Sequence, residues 1–344
     1  MKNRYLAAAL LAAMVLILPA CRQNGGRTSN TGKQPAAETA GQAPVRMSTF
    51  PMTTVPSVYG DNTDSALEYL LEHYWDAFFK CDGATTPETI LGVDDRAVEQ
   101  GLANYIQMLA GMKLRATPDD TAPLKQAQES VKHFFKTLES RQLRDTSSRV
   151  YLRLTELVSK YLYDPNAPQR DEDLYLPFVQ AMAESPCTRD DMRTAYRYEA
   201  RMCGINRFGE TAPDFSYADI RGHKHSLHGI RAEYTLLFFS NPGCTSCREI
   251  ITDITGSSSV YALMQDGRLA ILNVYIDEEV EKWRAYSHNY PSSWLNGYDY
   301  TFSLRDSGRY SIRAIPSLYL LDARKRVIIK DAPTNVVLNY LDNL

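Results

Sequence analysis

What the chain has little of narrows its possibilities first. Of 344 residues only six are cysteine and three tryptophan, so it is neither a disulfide-dense miniature scaffold nor a cysteine-rich zinc module. It has no Gly-rich nucleotide-binding motif, no internal repeat, and no bilayer-length apolar stretch after the first twenty residues. Positive charge is in short supply too. Lys and Arg number 38 against 41 Asp and Glu, a formal net charge of −3. A surface of that sign gains nothing from counterion release, which argues against a nucleic-acid partner.

The N-terminus supplies an address. In "MKNRYLAAALLAAMVLILPAC", Lys2 and Arg4 precede an apolar run from Leu6 to Leu18. This pattern predicts a signal peptide over residues 1–20, too short and wrongly flanked for a membrane span. Leu18-Pro19-Ala20-Cys21 resembles a bacterial lipobox, with Pro19 where Ala, Ser or Thr is usual. That resemblance implies lipidation at Cys21, a lipid anchor in the membrane, and a periplasm-facing place in the bacterial cell envelope. Without Lys2 and Arg4 the net charge falls to about −5. Five cysteines then remain, Cys81, Cys187, Cys203, Cys244 and Cys247, in a compartment where thiols are not assumed passive.

Residues 21–60 form a tether and lead-in, rich in Gly, Ser, Thr, Ala, Gln and Pro as far as Val45. From 61 to 203 the apolar period is helical. Leu67, Leu70, Leu71, Tyr74 and Phe78 share a face, with Ser65 and Glu68 in capping-box spacing. Similar stripes run through Val98–Leu109, Ala127–Leu138 and Val150–Tyr161, followed by Leu176–Ser185, with Pro177 in its first turn, and Arg189–Cys203. Six amphipathic helices predict an all-helical domain with its own core. From 204 to 344 the pattern changes to a short hairpin turning at Arg221-Gly222, then the continuous apolar run "YTLLFF". Helical Arg248–Ile254, strand "LAILNVYID", helix "EEVEKWRAYSHN", a short helix around Asp306–Ser311, strands "SLYLLD" and "RVIIK", and a helix from Thr334 complete the chain. The expected fold is α plus α/β: a helical domain followed by an α/β sandwich around a mixed sheet.

The chemistry centres on "SNPGCTSCREII", residues 240–251. Two cysteines two residues apart are a redox pair, half a zinc site, or a structural disulfide. Zinc needs two further ligands, and the nearby candidates are His223, His225 and His228 in a hairpin turn, the weaker reading. A disulfide across a two-residue gap is small and reducible, which suits cycling better than stapling. At a helix N-terminus, unpaired N–H groups and the helix dipole favour thiolate over thiol. That makes Cys244 the attacking nucleophile and Cys247 the buried resolving thiol.

With "ETAPDFSYADIRGHKHSLHGI" ahead of it and "YSIRAIPSLYLLD" about seventy residues on, this segment resembles the TlpA/ResA-like thioredoxins. The resemblance covers Gly204–Leu344. It implies a thioredoxin-like sandwich in which Ile315-Pro316 is a cis peptide facing the cysteines, the Ile315 main chain docking an extended substrate. It also implies disulfide-bearing protein substrates and no cofactor or metal; with no nucleotide-binding Gly motif, the electrons are expected from a membrane-embedded reductant. Three departures stand out: Gly243 where many thioredoxins have Trp, Phe238 in place of a buried acid, and Thr245-Ser246 without the His of strong oxidants. A peroxiredoxin loop is disfavoured, because position 241 is Asn where that family needs Thr.

The helical half, with "LLEHYWDAFF" and "KYLYDPNAPQRDEDLYLPFVQAM", is similar to envelope lipoproteins of Bacteroides-type bacteria. In these an uncharacterised helical domain is fused to a thioredoxin-like one. His73, Tyr74, Trp75 and Asp76 are candidates for a recognition site, or else core and interface residues. Cys187 and Cys203 are candidates for a structural disulfide, or else inert thiols. Tyr290, Trp294, Tyr298 and Tyr300 either shape a partner-docking surface or pack an insertion. Two functions follow: a tethered thiol–disulfide oxidoreductase, and a binding lipoprotein whose thioredoxin fold is only scaffold.

Overall fold

A computed structural model describes residues 47–60, 62–306 and 308–344. The signal peptide, Cys21 and the tether as far as residue 46 lie outside these residues. The chain divides into two compact units, one ending at Gly101 and one beginning at Leu102.

In the first unit, α1 (Thr63–His73) and α2 (Asp76–Phe79) precede a small antiparallel hairpin of β1 (Thr89–Ile90) and β2 (Val93–Asp94). Asn62 caps α1, its side-chain oxygen accepting from the N–H groups of Asp64 and Ser65 at 3.1 Å each. The cap therefore stands three residues ahead of the expected Ser65. Tyr74 and Trp75 are buried, and the Tyr74 hydroxyl donates to the Gly101 carbonyl at 2.7 Å. Phe50 stacks on Tyr74 and Phe78. His73 bonds Asp76 at 2.9 Å. Tyr74 and Trp75 thus belong to the core and not to a recognition surface.

α3 (Asp95–Arg115) leads into the second unit, which holds α4 (Ala122–Arg144), α5 (Val150–Leu162), α6 (Glu172–Glu184) and α7 (Asp190–Cys203). Edge-to-face contacts of Phe134 and Phe135 with Phe178 join α4 to α6. α6 begins four residues before the expected Leu176, because Asp171 caps it through the N–H groups of Asp173 and Leu174. Pro177 is therefore inside the helix, where it cannot donate to the Asp173 carbonyl. Gln128 supplies that donor instead, through Nε2 at 3.4 Å.

Seven strands form a mixed sheet in the order β4-β3-β7-β6-β5-β8-β9. They are β3 (Ser216–Ala218), β4 (Lys224–Ser226), β5 (Tyr234–Phe239), β6 (Leu269–Tyr275), β7 (Leu295–Tyr298), β8 (Ser317–Leu321) and β9 (Val327–Lys330). β5 is parallel to β6 and antiparallel to β8. Alternation along β5 splits the core in two. Leu236 and Phe238 face α8 (Thr245–Gly256), α9 (Ser258–Gln265) and α12 (Thr334–Asp342), while Leu237 and Phe239 join Phe215, Leu304 and Tyr310 on the opposite face. The remaining helices, α10 (Val280–Tyr286) and α11 (Ser303–Asp306), flank β7 in the chain. α11 lies ahead of the expected Asp306–Ser311. Residues 209–212 pair with the start of β9 and the turn before it: Gly209 N–H to Val327 O, Val327 N–H to Glu210 O and Ala212 N–H to Lys325 O, all 2.8 Å. Among the described residues no helix is long and apolar enough to cross a membrane.

Candidate active site

The carboxyl end of β5 delivers the cysteines. Phe239 ends the strand, Ser240 and Asn241 follow, and Gly243 makes the turn with φ +75°, a region that strains any other residue. Asn241 ties this loop to Asp277 at 2.9 Å. Cys244 then caps α8, its Sγ accepting from the Cys247 N–H at 3.1 Å. A sulfur so placed has a fixed donor and the positive end of a twelve-residue helix to stabilise negative charge. Cys244 and Cys247 are disulfide-bonded with Cα atoms 5.2 Å apart. Cys244 is half-buried and Cys247 is 1% exposed.

Ile315-Pro316 is a cis peptide. The register of β5 with β8 pairs Phe239 with Ser317, so this peptide lies at the same end of the sheet as the cysteines. Cys244 and Ile315 pack against the same apolar cluster, which also holds Cys247 and Phe238. Among the described residues nothing hydrogen-bonds to the main chain of Ile315. The sequence thus places the Cys244–Cys247 pair about seventy residues from Ile315-Pro316, and the topology gathers the two motifs at one sheet end.

Phe238, where the family has an acid, is fully buried with its ring edge-on to Trp294 at 6.3 Å. Polar groups nearby are linked in a chain: Ser240 Oγ to Asn273 at 2.5 Å, Asn273 to Asn296 at 3.1 Å, and Asn296 on to the Pro291 carbonyl at 2.9 Å. Trp294 and Tyr290 are buried and Tyr298 is half-buried against Trp283, so these three aromatics pack the insertion. Tyr300 carries the Lys224 ammonium over its ring at 4.6 Å. His223 and His225 both lean on Asp219, at 3.2 and 3.4 Å, while His228 bonds the Ala212 carbonyl at 2.8 Å.

Cys187 and Cys203 are free thiols, as is Cys81, so of the two alternatives the structure holds no disulfide between them. Cys203 is the last of the fourteen residues of α7 and Cys187 precedes its first, so about 20 Å of helical rise separates them, against the roughly 7 Å that a disulfide tolerates between Cα atoms. Burial pushes both thiols up from their ordinary pKa, so they are poor nucleophiles.

A second cluster sits behind the cis peptide and escaped the sequence. Glu172 of α6 pairs with Arg313 Nε at 2.8 Å and with Lys330 Nζ at 2.7 Å. Arg313 also pairs with Asp331 at 2.8 Å, and Ser317 Oγ donates to Asp331 at 2.9 Å. The Arg313 guanidinium lies 4.4 Å above the Tyr163 ring and donates to the Tyr163 carbonyl. Burial pushes the Glu172 carboxyl up, against the pull of Lys330 and Arg313. Burial also opposes the Arg313 charge, but Glu172 and Asp331 outweigh it and keep the guanidinium firmly protonated. The available signal was charge in apolar company: Lys330 and Asp331 close the run "VIIKD".

A family described as a domain of unknown function, DUF5106, matches residues 20–203. A thioredoxin-like protein from Bacteroides caccae is 32% identical to this chain, covering 86% of it and 99% of its own length, with a TM-score of 0.69. The C-terminal domain of an uncharacterized protein from Bacteroides fragilis is 39% identical over 40% of this chain and 98% of its own, with a TM-score of 0.39. The thioredoxin domain of a thiol-disulfide oxidoreductase from Bacteroides vulgatus is 23% identical over 39% and 95%, with a TM-score of 0.35. No curated protein matches the chain.

Proposed function

The chain belongs to the DUF5106 family, joined to a thioredoxin-like fold, and on that footing we propose that it is an envelope-tethered thiol–disulfide oxidoreductase acting on protein disulfides. The observation that carries this reading is Cys244: a partly buried cysteine whose sulfur is held by the Cys247 N–H at a helix N-terminus, at the sheet end that also presents the unpaired main chain of Ile315. In the reduced form, the Cys244 thiolate attacks one sulfur of a substrate disulfide. A mixed disulfide forms and the other substrate sulfur leaves as thiolate. Cys247 then attacks Cys244 Sγ, releasing the second substrate thiolate and regenerating the Cys244–Cys247 disulfide. Two electrons pass to the substrate, and a membrane-embedded dithiol reductant returns them. Ile315 offers its N–H and carbonyl to an extended substrate as one more strand would. With Phe238 in place of the acid, proton exchange at Cys247 relies on water or on the substrate thiols.

The test is reduction of a protein disulfide such as insulin by the dithiol-charged protein. Cys244→Ser abolishes turnover and Cys247→Ser accumulates mixed disulfides; a Cys244→Ser variant as active as wild type overturns the reading. Anchoring through Cys21 makes Cys21→Ser move the protein from the membrane fraction to the soluble one.

The buried Phe238–Trp294 pair favours a second reading, a binding lipoprotein that keeps the fold as scaffold. A Cys244→Ala, Cys247→Ala double mutant that fully complements a deletion strain selects it.

A further inference from the structure

The turn that carries Ile315 and Pro316 has little holding it from within. Between Ser311 and Pro316 the backbone lies outside every helix and strand. Side chains tie it down instead. The Ser311 carbonyl accepts from the Tyr319 hydroxyl at 2.8 Å, and the Ser311 hydroxyl reaches Glu172 at 3.3 Å. Past Ser311, the cis peptide is bracketed by two residues, Arg313 before it and Ser317 after it, and both bond Asp331. Arg313 is in turn gripped by Glu172 and by the carbonyl and ring of Tyr163, which come from the helical part of the chain.

We propose that Glu172 is a positioning residue for substrate docking: acting through Arg313, it holds Ile315 and Pro316 at the cysteine pair, so the helical segment governs how tightly an extended peptide disulfide is held. The inference rests on the oxidoreductase reading above. Its physical basis is that four charges have been taken out of water together. Side-chain exposures are 1% for Glu172, 12% for Arg313, 0% for Lys330 and 7% for Asp331. Buried ion clusters seldom stabilise more than an apolar replacement of the same volume, and their best-attested use is to fix one arrangement among several. Here the arrangement fixed is a turn with no ladder bonds of its own. Docking through main-chain hydrogen bonds demands sub-ångström placement of Ile315, and Arg313 stands only two residues away.

The test compares two substrates of the full mature chain, a peptide carrying an intrachain disulfide and a small aromatic disulfide that meets only Cys244. Arg313→Lys keeps the charge count but loses the planar fork, and Glu172→Gln removes the anion. The expected result is a KM for the peptide raised about tenfold, with kcat and small-disulfide turnover within about twofold of wild type and the Cys244–Cys247 reduction potential unchanged. If neither variant folds, Ser317→Ala cuts only the bond to Asp331 and is expected to shift peptide KM in the same direction. An unchanged peptide KM, or a parallel fall with both substrates, overturns the proposal while wild-type activity still upholds the oxidoreductase reading. A wild type inactive on both substrates overturns that reading and the positioning role with it.

Discussion

A Cβ built on Gly297 would lie 2.5 Å from the Tyr217 ring and 2.9 Å from the Ala218 carbonyl. The carbonyl belongs to neighbouring β3 and cannot swing aside. Gly297→Ala is therefore expected to cost about 1–3 kcal/mol, read as a lower urea midpoint with an unchanged slope. Gly243 is constrained differently. Nothing crowds its Cβ position, but its φ of +75° belongs to a region other residues avoid. A tryptophan before the cysteine pair would have to take up that strained torsion angle. Gly243→Trp is expected to destabilise by about 1 kcal/mol, and thermal unfolding checks it. From sequence alone Gly243 read as a lost accessory; only the torsion angle shows the strain a side chain would meet there.

At the scale of elements, Asp171 sets the start of α6 and so the position of Glu172 directly behind it. Its carboxylate also meets Lys113 at 2.8 Å. Asp171→Ala is expected to lose about 1–2 kcal/mol, measurable by urea denaturation, with α6 fraying from its first turn. The same helix shows what the sequence could and could not reveal. Its apolar stripe was plain, but Pro177 drew the expected start four residues too late, because Gln128, distant in sequence, replaces the donor that Pro177 removes. Strands β5, β6, β8 and β9 and the helix after the cysteines were legible because apolar runs bounded by turn residues leave few alternatives. β7 was not: Leu295-Asn296-Gly297-Tyr298 has neither alternation nor β-branched side chains, and its pairing with β3 depends on Gly297 letting that strand approach. α9 went unseen because its period merges with that of α8. The cysteines and Ile315-Pro316 were legible because they are local motifs. Glu172, Arg313 and Asp331 were not, since their meaning lies in one another, and Glu172 meets Arg313 and Lys330 across more than a hundred residues of chain.

At the scale of the whole molecule, residues 102–203 and 204–344 belong to one compact unit, and charge runs through it. Asp173 accepts from the Phe208 N–H at 3.0 Å and pairs with Lys113 at 2.7 Å. Burial works to raise its pKa, but the Lys113 charge and these hydrogen bonds win and hold the carboxyl below its usual 3.8. A depressed carboxyl contributes stability above its unfolded pKa and loses it as pH falls through the folded value. Urea midpoints are thus expected to drop as pH is taken below about 4, and Asp173→Asn is expected to flatten that slope. Glu172 has the opposite sign: its raised pKa makes its contribution greatest in acid and weaker as pH rises through the folded value. Residues 209–212 bear on the company the protein keeps. By pairing with the start of β9 they shorten the stretch of that strand left for a second chain to extend, and at the other end of the sheet β4 offers three residues, Lys224 among them. Fibre growth needs a bare, flat, apolar strand as template, so the folded chain is expected not to seed fibres through this sheet, which a flat thioflavin signal on prolonged incubation checks.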